Sequence, residues 1–387
     1  VSGETRRDPW HLLSGEYPPG GGGVGEYTAL LARALAAEGR EVHVWAPAAA
    51  DVEEAPGVRL HALPGFGRAG LARLDAGLDA FPSPRRVLVQ YAPQAFGARG
   101  MNVAFCRRVL ARARRGDEVR VMFHEPFVPF GWRRPQRNLL ALANRWMAAL
   151  LLRAARAAYV STPAWERLLR PLAPASLGAL RWLPIPSTVP RVDDREGVAA
   201  IRARLGAHPG GVRVVGHFGT YGGMVAPLLE PALLAVLAPP SRSAALLLGE
   251  GGSAFAARLE RAAPALRGRL HAPGRLGPER LSAHLQACDV AVQPYPDGVT
   301  ARRTTAMAAL ANGVPLVTTR GRFTEPEWLG GAVRLADAGD AGALAAAALD
   351  LLDDPRRGAL GPAGRALYER EFSIARTVRT LLEEVPR

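Results

Sequence analysis

The sequence predicts an α/β protein built from two Rossmann-like doubly wound domains facing a cleft, and three observations carry that expectation. A chain of 387 residues has room for two to three domains, each with its own core. Short apolar runs alternate with helical patterns, as a parallel sheet covered by helices requires. The alternation breaks at a proline-rich stretch in mid-chain and then restarts.

In order, the first half opens with a strand at His11 to Ser14, a glycine-rich turn, a helix from Thr28 to Ala37 and a strand at Val42 to Ala46. Strand-like runs follow at Val87 to Tyr91, Val119 to Phe123 and Ala158 to Ser161. Each is short and apolar and stops at polar, Gly or Pro residues, as buried parallel strands do. The stretch Leu183 to Pro190 holds three prolines and is followed by Asp193, Asp194 and Glu196, which places the interdomain linker there. Domains are therefore expected at residues 1–188 and 189–370. The second contains strands at Val212 to His217, Ala244 to Leu248, Leu270 to Ala272, Val290 to Gln293 and Leu316 to Thr319. Helices separate them at Leu228 to Leu237, Ala254 to Ala263, Glu279 to Ala287 and Thr304 to Ala311. Ligands of doubly wound sheets bind outside the carboxyl ends of the strands, so the loops leaving strands are the functional candidates.

Composition excludes several classes. Hydrophobic residues at 48% and charged residues at 22% are ordinary for a folded protein and rule out dominant disorder. The net charge is +14, but the chain has no lysine, so all 49 basic residues are arginine. That bias makes the charge a poor argument for nucleic acid, and no zinc-finger spacing, helix-turn-helix or RNP-like strand accompanies it. Nucleic acid is not an expected partner. Between Arg99 and Arg170, fifteen arginines face only Asp117, Glu118, Glu125 and Glu166, a local excess of +11. Such a face suits an anionic membrane or an acidic substrate; a solvated arginine surface is the alternative. Cys106 and Cys288 form neither a disulfide framework nor a metal site. The opening VSGETRRDPW has no apolar core of a secretory signal, and the run Leu139 to Leu152, broken by Asn144 and Arg145, is too short to span a bilayer. A cytoplasmic protein with a peripheral membrane contact is expected.

The first candidate loop runs from Glu16 to Tyr27 and contains four consecutive glycines, Gly20 to Gly23. Glycines between a strand and a helix let backbone N–H groups approach a ligand, and the helix N-terminus favours an anion. The spacing is not a dinucleotide fingerprint, and without Lys it is no Walker A loop.

The run PPGGGGVGEYTALLARALAAEGREVHVWAP resembles the opening of GT-B-fold glycosyltransferases of the retaining, family 4 type. VMFHEP, LPIPSTVP, LLLGEGG and CDVAVQPYPDG, continuing to AALANGVPLVTT, fit the same family in the same order, so the resemblance covers nearly the whole chain. It implies that a final helix, at about 371–387, packs back on the N-terminal, acceptor-side domain. It implies that Gly22, Gly23, Val24 and Gly25 face the donor and that His124 contacts the donor sugar at its reacting end. In the C-terminal domain it assigns donor binding to Gly219, Thr220, Tyr221 and Gly222, although the family's usual Arg and Lys are missing from this loop. Arg302 and Arg303, before a helix starting near Thr304, would supply the missing charge to the diphosphate. The family's paired glutamates fall on Thr300 and Ala308, neither acidic, leaving Asp297, Gly298, Thr300 and, by loop proximity, Glu250 as substitute contacts. No metal or other cofactor is expected; the partners are a nucleotide-sugar donor and an unidentified acceptor. Three readings stay open at this level: a retaining glycosyltransferase, another GT-B enzyme such as an inverting transferase or an epimerase, and a non-catalytic homologue that binds a sugar nucleotide or a partner enzyme.

Overall fold

The computed structural model describes residues 9–20, 22–47, 55–131, 135–208 and 211–383. The Gly21 of the glycine run, and Arg133 and Arg134 of the basic stretch, lie outside these residues. The chain forms two compact units, one ending at Pro184 and regaining the chain from Ile374, the other Ile185–Ser373. The sequence-based boundaries lay a few residues away, at 188/189 and 370/371.

The first unit contains β1 (Trp10–Ser14), α1 (Gly23–Ala37), β2 (Val42–Pro47), β3 (Val58–Leu63), α2 (Arg68–Asp79), β4 (Arg86–Tyr91), α3 (Val103–Arg114), β5 (Glu118–Phe123), α4 (Arg137–Ala154), β6 (Ala157–Val160), α5 (Pro163–Leu169) and β7 (Arg181–Trp182). Its seven strands are all parallel, in the order β3-β2-β1-β4-β5-β6-β7. The inner strands are buried on both faces, which is why they read as short unbroken apolar runs. Helix α1 buries Tyr27, Thr28, Leu31, Ala32 and Leu35, a stripe at helical spacing. Asn144, which interrupts the apolar run of α4, is buried: its Nδ2 donates to Gly100 O and its Oδ1 accepts from Val128 N, at 3.3 Å. Under β1 to β3, His11, His43 and His61 pack with Trp45 and Phe81, and the Trp45 indole donates to His11 Nδ1 at 3.3 Å. Burial pushes the His11 imidazole down to about 3, with the neighbouring histidines adding to the shift.

The second unit contains α6 (Arg195–Arg204), β8 (Arg213–Phe218), α7 (Ala226–Leu237), β9 (Ser243–Leu248), α8 (Gly252–Ala262), β10 (Leu270–Gly274), α9 (Pro278–Gln286), β11 (Val290–Gln293), α10 (Thr304–Ala311), β12 (Leu316–Arg320), β13 (Arg334–Asp337), α11 (Ala341–Asp353) and α12 (Arg357–Leu367). Its sheet is again parallel, in the order β10-β9-β8-β11-β12-β13. The last helix, α13 (Ile374–Leu382), belongs to the first unit, where Arg120 donates to Leu381 O, Arg181 pairs with Glu383 and the Arg376 guanidinium lies over Trp182.

In each sheet the strand order reverses about one strand. Beside β1 and β4 in the first unit, and beside β8 and β11 in the second, the outgoing loops diverge to opposite faces and leave the crevice in which such sheets bind ligands. No helix among the described residues is long and apolar enough to cross a membrane.

Candidate functional site

In the first unit, the β1–α1 loop differs from the open anion cradle expected of it. Helix α1 begins after Gly22, which has no side chain to cap it, so its first N–H groups need another acceptor. The Glu16 carboxylate supplies it: Oε1 accepts from Val24 N and Gly25 N, each at 3.0 Å. The favourable end of the helix dipole is thus filled by the protein's own carboxylate, and a phosphate approaching these two groups would meet a negative charge. Gly22 and Gly23 remain exposed at the rim. At Gly25 the loop packs closely: a Cβ there would stand 3.2 Å from the Glu16 carbonyl and Tyr17 Cα, so a side chain fits only if the loop shifts by a few tenths of an ångström.

His124 directly follows β5 and is buried. Its backbone N donates to Tyr91 O at 2.9 Å, and its carbonyl accepts from Ser161 Oγ and the Trp165 indole, both at 3.1 Å. Its Nε2 is 2.8 Å from Gln90 Oε1, and Tyr27 meets the ring edge-on at 5.0 Å. The imidazole is therefore fixed by groups from β4 and α1 at the switch point. The Gln90 side-chain nitrogen is buried without a hydrogen-bond partner. Nearby loops leaving β3 and β4 line a hollow of about 380 Å³ that includes Phe66, Arg68, Phe96, Ala98, Asn102 and Arg108. Ala98, which lines it, and the following Arg99 both adopt left-handed backbone conformations, with φ of 50° and 52°, a strain that side-chain-bearing residues hold only where the surroundings impose it.

In the second unit, Thr220 and Gly222 are exposed on the β8–α7 loop and Gly219 is half-buried. Tyr221, expected among the donor contacts, is instead a strut. It is buried at φ 53°, its hydroxyl donates to Leu248 O at 3.2 Å, and its ring packs on His217 and Phe255. His217 donates from Nδ1 to Val292 O at 2.8 Å, and burial lowers its pKa to about 4, so the ring is neutral with an unpartnered Nε2. Glu250 is exposed in the turn after β9.

In the loop from β11 to α10, two of the expected contact residues are engaged or enclosed by the protein itself. Asp297 is paired with Arg322 at 2.8 Å. Thr300 is buried with its hydroxyl unpartnered. Gly298, at φ 90°, lies against Gly321, where a Cβ would come within 2.3 Å of the Gly321 nitrogen. Glu325 holds the loop from beneath: its two carboxylate oxygens lie 3.2 and 3.0 Å from Ala301 N, and the Trp328 indole donates to it at 3.1 Å. Above this support, Arg302, Arg303 and Thr304 are half-buried at the start of α10. The Arg303 guanidinium lies over the Tyr295 ring at 4.7 Å, and the Tyr295 hydroxyl is bonded to Thr305 Oγ1 at 2.7 Å. The helix has no side-chain cap, so its N-terminal N–H groups and the arginines share one end.

The sequence placed Glu16 in a candidate loop without its capping role, and did not single out Gln90, Arg322 or Glu325. Gln90 had a signal, a lone polar residue in the strand RVLVQY, and Glu16 preceded the glycine turn; nothing local marked the other two. Among the described residues, no group of three or more His, Cys, Asp or Glu side chains is placed to hold a metal ion.

A model of Glycosyltransferase Family 4 matches residues 21–176 and one of Glycosyl transferases group 1 matches residues 214–354. Solved structures align over nearly the whole chain. Anabaena HepE, in complex with UDP and glucose, is 16% identical over 97% of this chain and 98% of its own, with a TM-score of 0.69. Sucrose-phosphate synthase from Thermosynechococcus elongatus is 19% identical over 97% of both chains, with a TM-score of 0.67. A glycosyltransferase from Rickettsia africae is 13% identical over 97% of both, with a TM-score of 0.70. No curated protein matches the sequence. With these two models lying in order on two parallel-sheet units, the chain belongs to the GT-B-fold glycosyltransferases.

Proposed function

We propose that this glycosyltransferase moves a sugar from a nucleotide-sugar donor to an acceptor hydroxyl with retention of anomeric configuration. The observation that carries the reading is the start of α10, where Arg302, Arg303 and an uncapped helix N-terminus lie together beside a switch-point strand. Guanidinium groups and oriented N–H groups at a departing diphosphate stabilise the charge that develops as the glycosidic bond breaks. Thr220, Gly219 and Gly222 add exposed or half-exposed loop groups without charge. Tyr221 acts by shaping that loop, and Gly298 and Asp297 by shaping the one after β11. His124, held by Gln90, contributes a hydrogen bond to the reacting sugar.

In a retaining transfer of this type, the acceptor hydroxyl attacks the face from which the diphosphate leaves, and a phosphate oxygen takes its proton. That chemistry needs no paired carboxylates, unlike glycosidase action, and the proposal invokes no metal or cofactor. The UDP and glucose in the HepE structure make a uridine nucleotide the first donor to try. We place the acceptor by the first unit, where the hollow beside Phe66 and Phe96 offers a built surface, and the enzyme in the cytoplasm, meeting its acceptor at an anionic membrane. The test is donor-dependent release of nucleoside diphosphate by purified protein across a panel of nucleotide sugars. Release with a defined donor supports the reading. Tight donor binding without release, with and without membrane extract as acceptor, replaces it with a binding role.

A further inference from the structure

Five of the eight large apolar side chains exposed among the described residues belong to one surface of the first unit. They are Leu139 (68% exposed), Leu142 (57%), Phe130 (52%), Trp146 (47%) and Met101. Leu139, Leu142 and Trp146 follow at i, i+3 and i+7 on α4, one face of a helix, whereas Ala141, Met147, Ala148 and Leu151 on its other face are buried. Hydrogen bonds tie the contributing segments together. Asn144 reaches Gly100 O beside Met101, and Arg145 donates to Val128 O at 3.1 Å. Arginines lie directly on the aromatic members: Arg107 is 5.0 Å from the Trp146 ring centre and Arg145 is 3.9 Å from that of Phe130.

The segments that build this surface carry charge of one sign. Residues 80–116 and 126–165, which supply every segment just named, contain no Asp or Glu. Arg137 and Arg153 flank the α4 stripe, both exposed. A cluster of exposed apolar side chains marks an interaction site, and its arginine-rich rim is complementary to anionic headgroups. Arginine stems lie along apolar surface while the guanidinium stays with the phosphates, and tryptophan favours the boundary between headgroup and chain.

We infer that the Leu139–Leu142–Trp146 face of α4, with Phe130 and Met101, is an interfacial docking element that inserts shallowly into an anionic bilayer. The inference deepens the proposed membrane-side acceptor by naming the face and its mode of binding. Docking holds the first unit at the surface by two signals, apolar insertion and arginine attraction, either of which is weak alone.

The test is co-sedimentation of the full chain with phosphatidylcholine vesicles and with vesicles containing 30% phosphatidylglycerol, at 0.1 and 1 M NaCl. Expected is binding to the anionic vesicles at 0.1 M that falls at least tenfold at 1 M, as the Debye length shrinks from about 10 to 3 Å. Leu139→Ser/Leu142→Ser is expected to lose at least tenfold in anionic-vesicle binding with an unchanged melting temperature, because both side chains are solvent-exposed. Its nucleoside diphosphate release from soluble donor should equal wild type, which separates failure here from failure of the transferase reading. No binding to either vesicle, equal binding to both, or full retention of binding by the double serine variant overturns the inference. Concentration-dependent dimerisation without lipid that the same variant abolishes also overturns it, assigning the face to a second copy of the chain.

Discussion

Replacing Glu16 tests the least anticipated feature of the first unit, a carboxylate capping the glycine loop. Glu16→Ala removes the two 3.0 Å hydrogen bonds that Val24 N and Gly25 N donate to the carboxylate, leaving Gly25 N with only the Gly22 carbonyl, at 3.1 Å. Fully buried charge-assisted bonds are worth about 1.5–3 kcal/mol each, but Glu16 is half-exposed and water replaces part of the loss. The range for helix caps, about 0.5–2 kcal/mol, is the better guide, and the upper half, about 1–2 kcal/mol, applies because two donors are affected. For a unit of this size each kcal/mol moves the melting temperature about 2–4 °C, so the transition of the first unit should fall by about 2–8 °C. Glu16→Gln keeps an acceptor but not the charge. Neutral bonds are roughly half as strong, so its loss should be about half that of alanine. Differential scanning calorimetry of the three proteins reads the order wild type, Gln, Ala. Both variants melting within 1 °C of wild type would show that the carboxylate does not cap the helix and would reopen these N–H groups to substrate phosphate.

Arg303→Ala and Arg302→Ala should each weaken nucleoside diphosphate binding by about 1.5–3 kcal/mol; unchanged affinities for both in titration calorimetry would remove α10 from the donor site. His124→Ala should reduce turnover far more than nucleoside diphosphate affinity, and Gln90→Leu, which leaves the imidazole in place but unheld, should reduce turnover by less; equal losses in turnover and affinity would make His124 structural. His11 has a folded pKa of about 3 against an ordinary 6.5, so below pH 6.5 the unfolded chain takes a proton that the folded one refuses. Its stabilising contribution is complete above pH 6.5 and declines toward pH 3 at up to about 1.4 kcal/mol per pH unit. Between pH 7 and 5 wild type should therefore lose about 2 kcal/mol more than His11→Phe in urea unfolding of the first unit, and parallel losses would refute the assignment.

What the sequence by itself determined was the repeating architecture. Buried parallel strands such as Val87 to Tyr91 and Ala244 to Leu248 must be largely apolar on both faces, so each announces itself within five residues, and the prolines of Leu183 to Pro190 mark the break between units. Elements with one face in water were harder. The edge strand β3 mixes Arg59 and His61 with apolar residues, and α2 carries Gly70 and Gly77, so neither strand nor helix period stands out. At the candidate site the residue types were legible but their partners were not. Asp297 reads the same whether it meets a sugar or Arg322, 25 positions away, and Tyr221 the same whether its hydroxyl faces a ligand or Leu248 O. Leu139 and Leu151 share one apolar run, yet one is exposed and the other buried, because the sequence carries the period of a helix while packing against α3 sets which face is covered. Backbone pattern is a local property repeated at short intervals. The choice of partner for a carboxylate, a hydroxyl or a helix end depends on groups brought near only when the sheets and their helices pack, and the tertiary structure alone decided it.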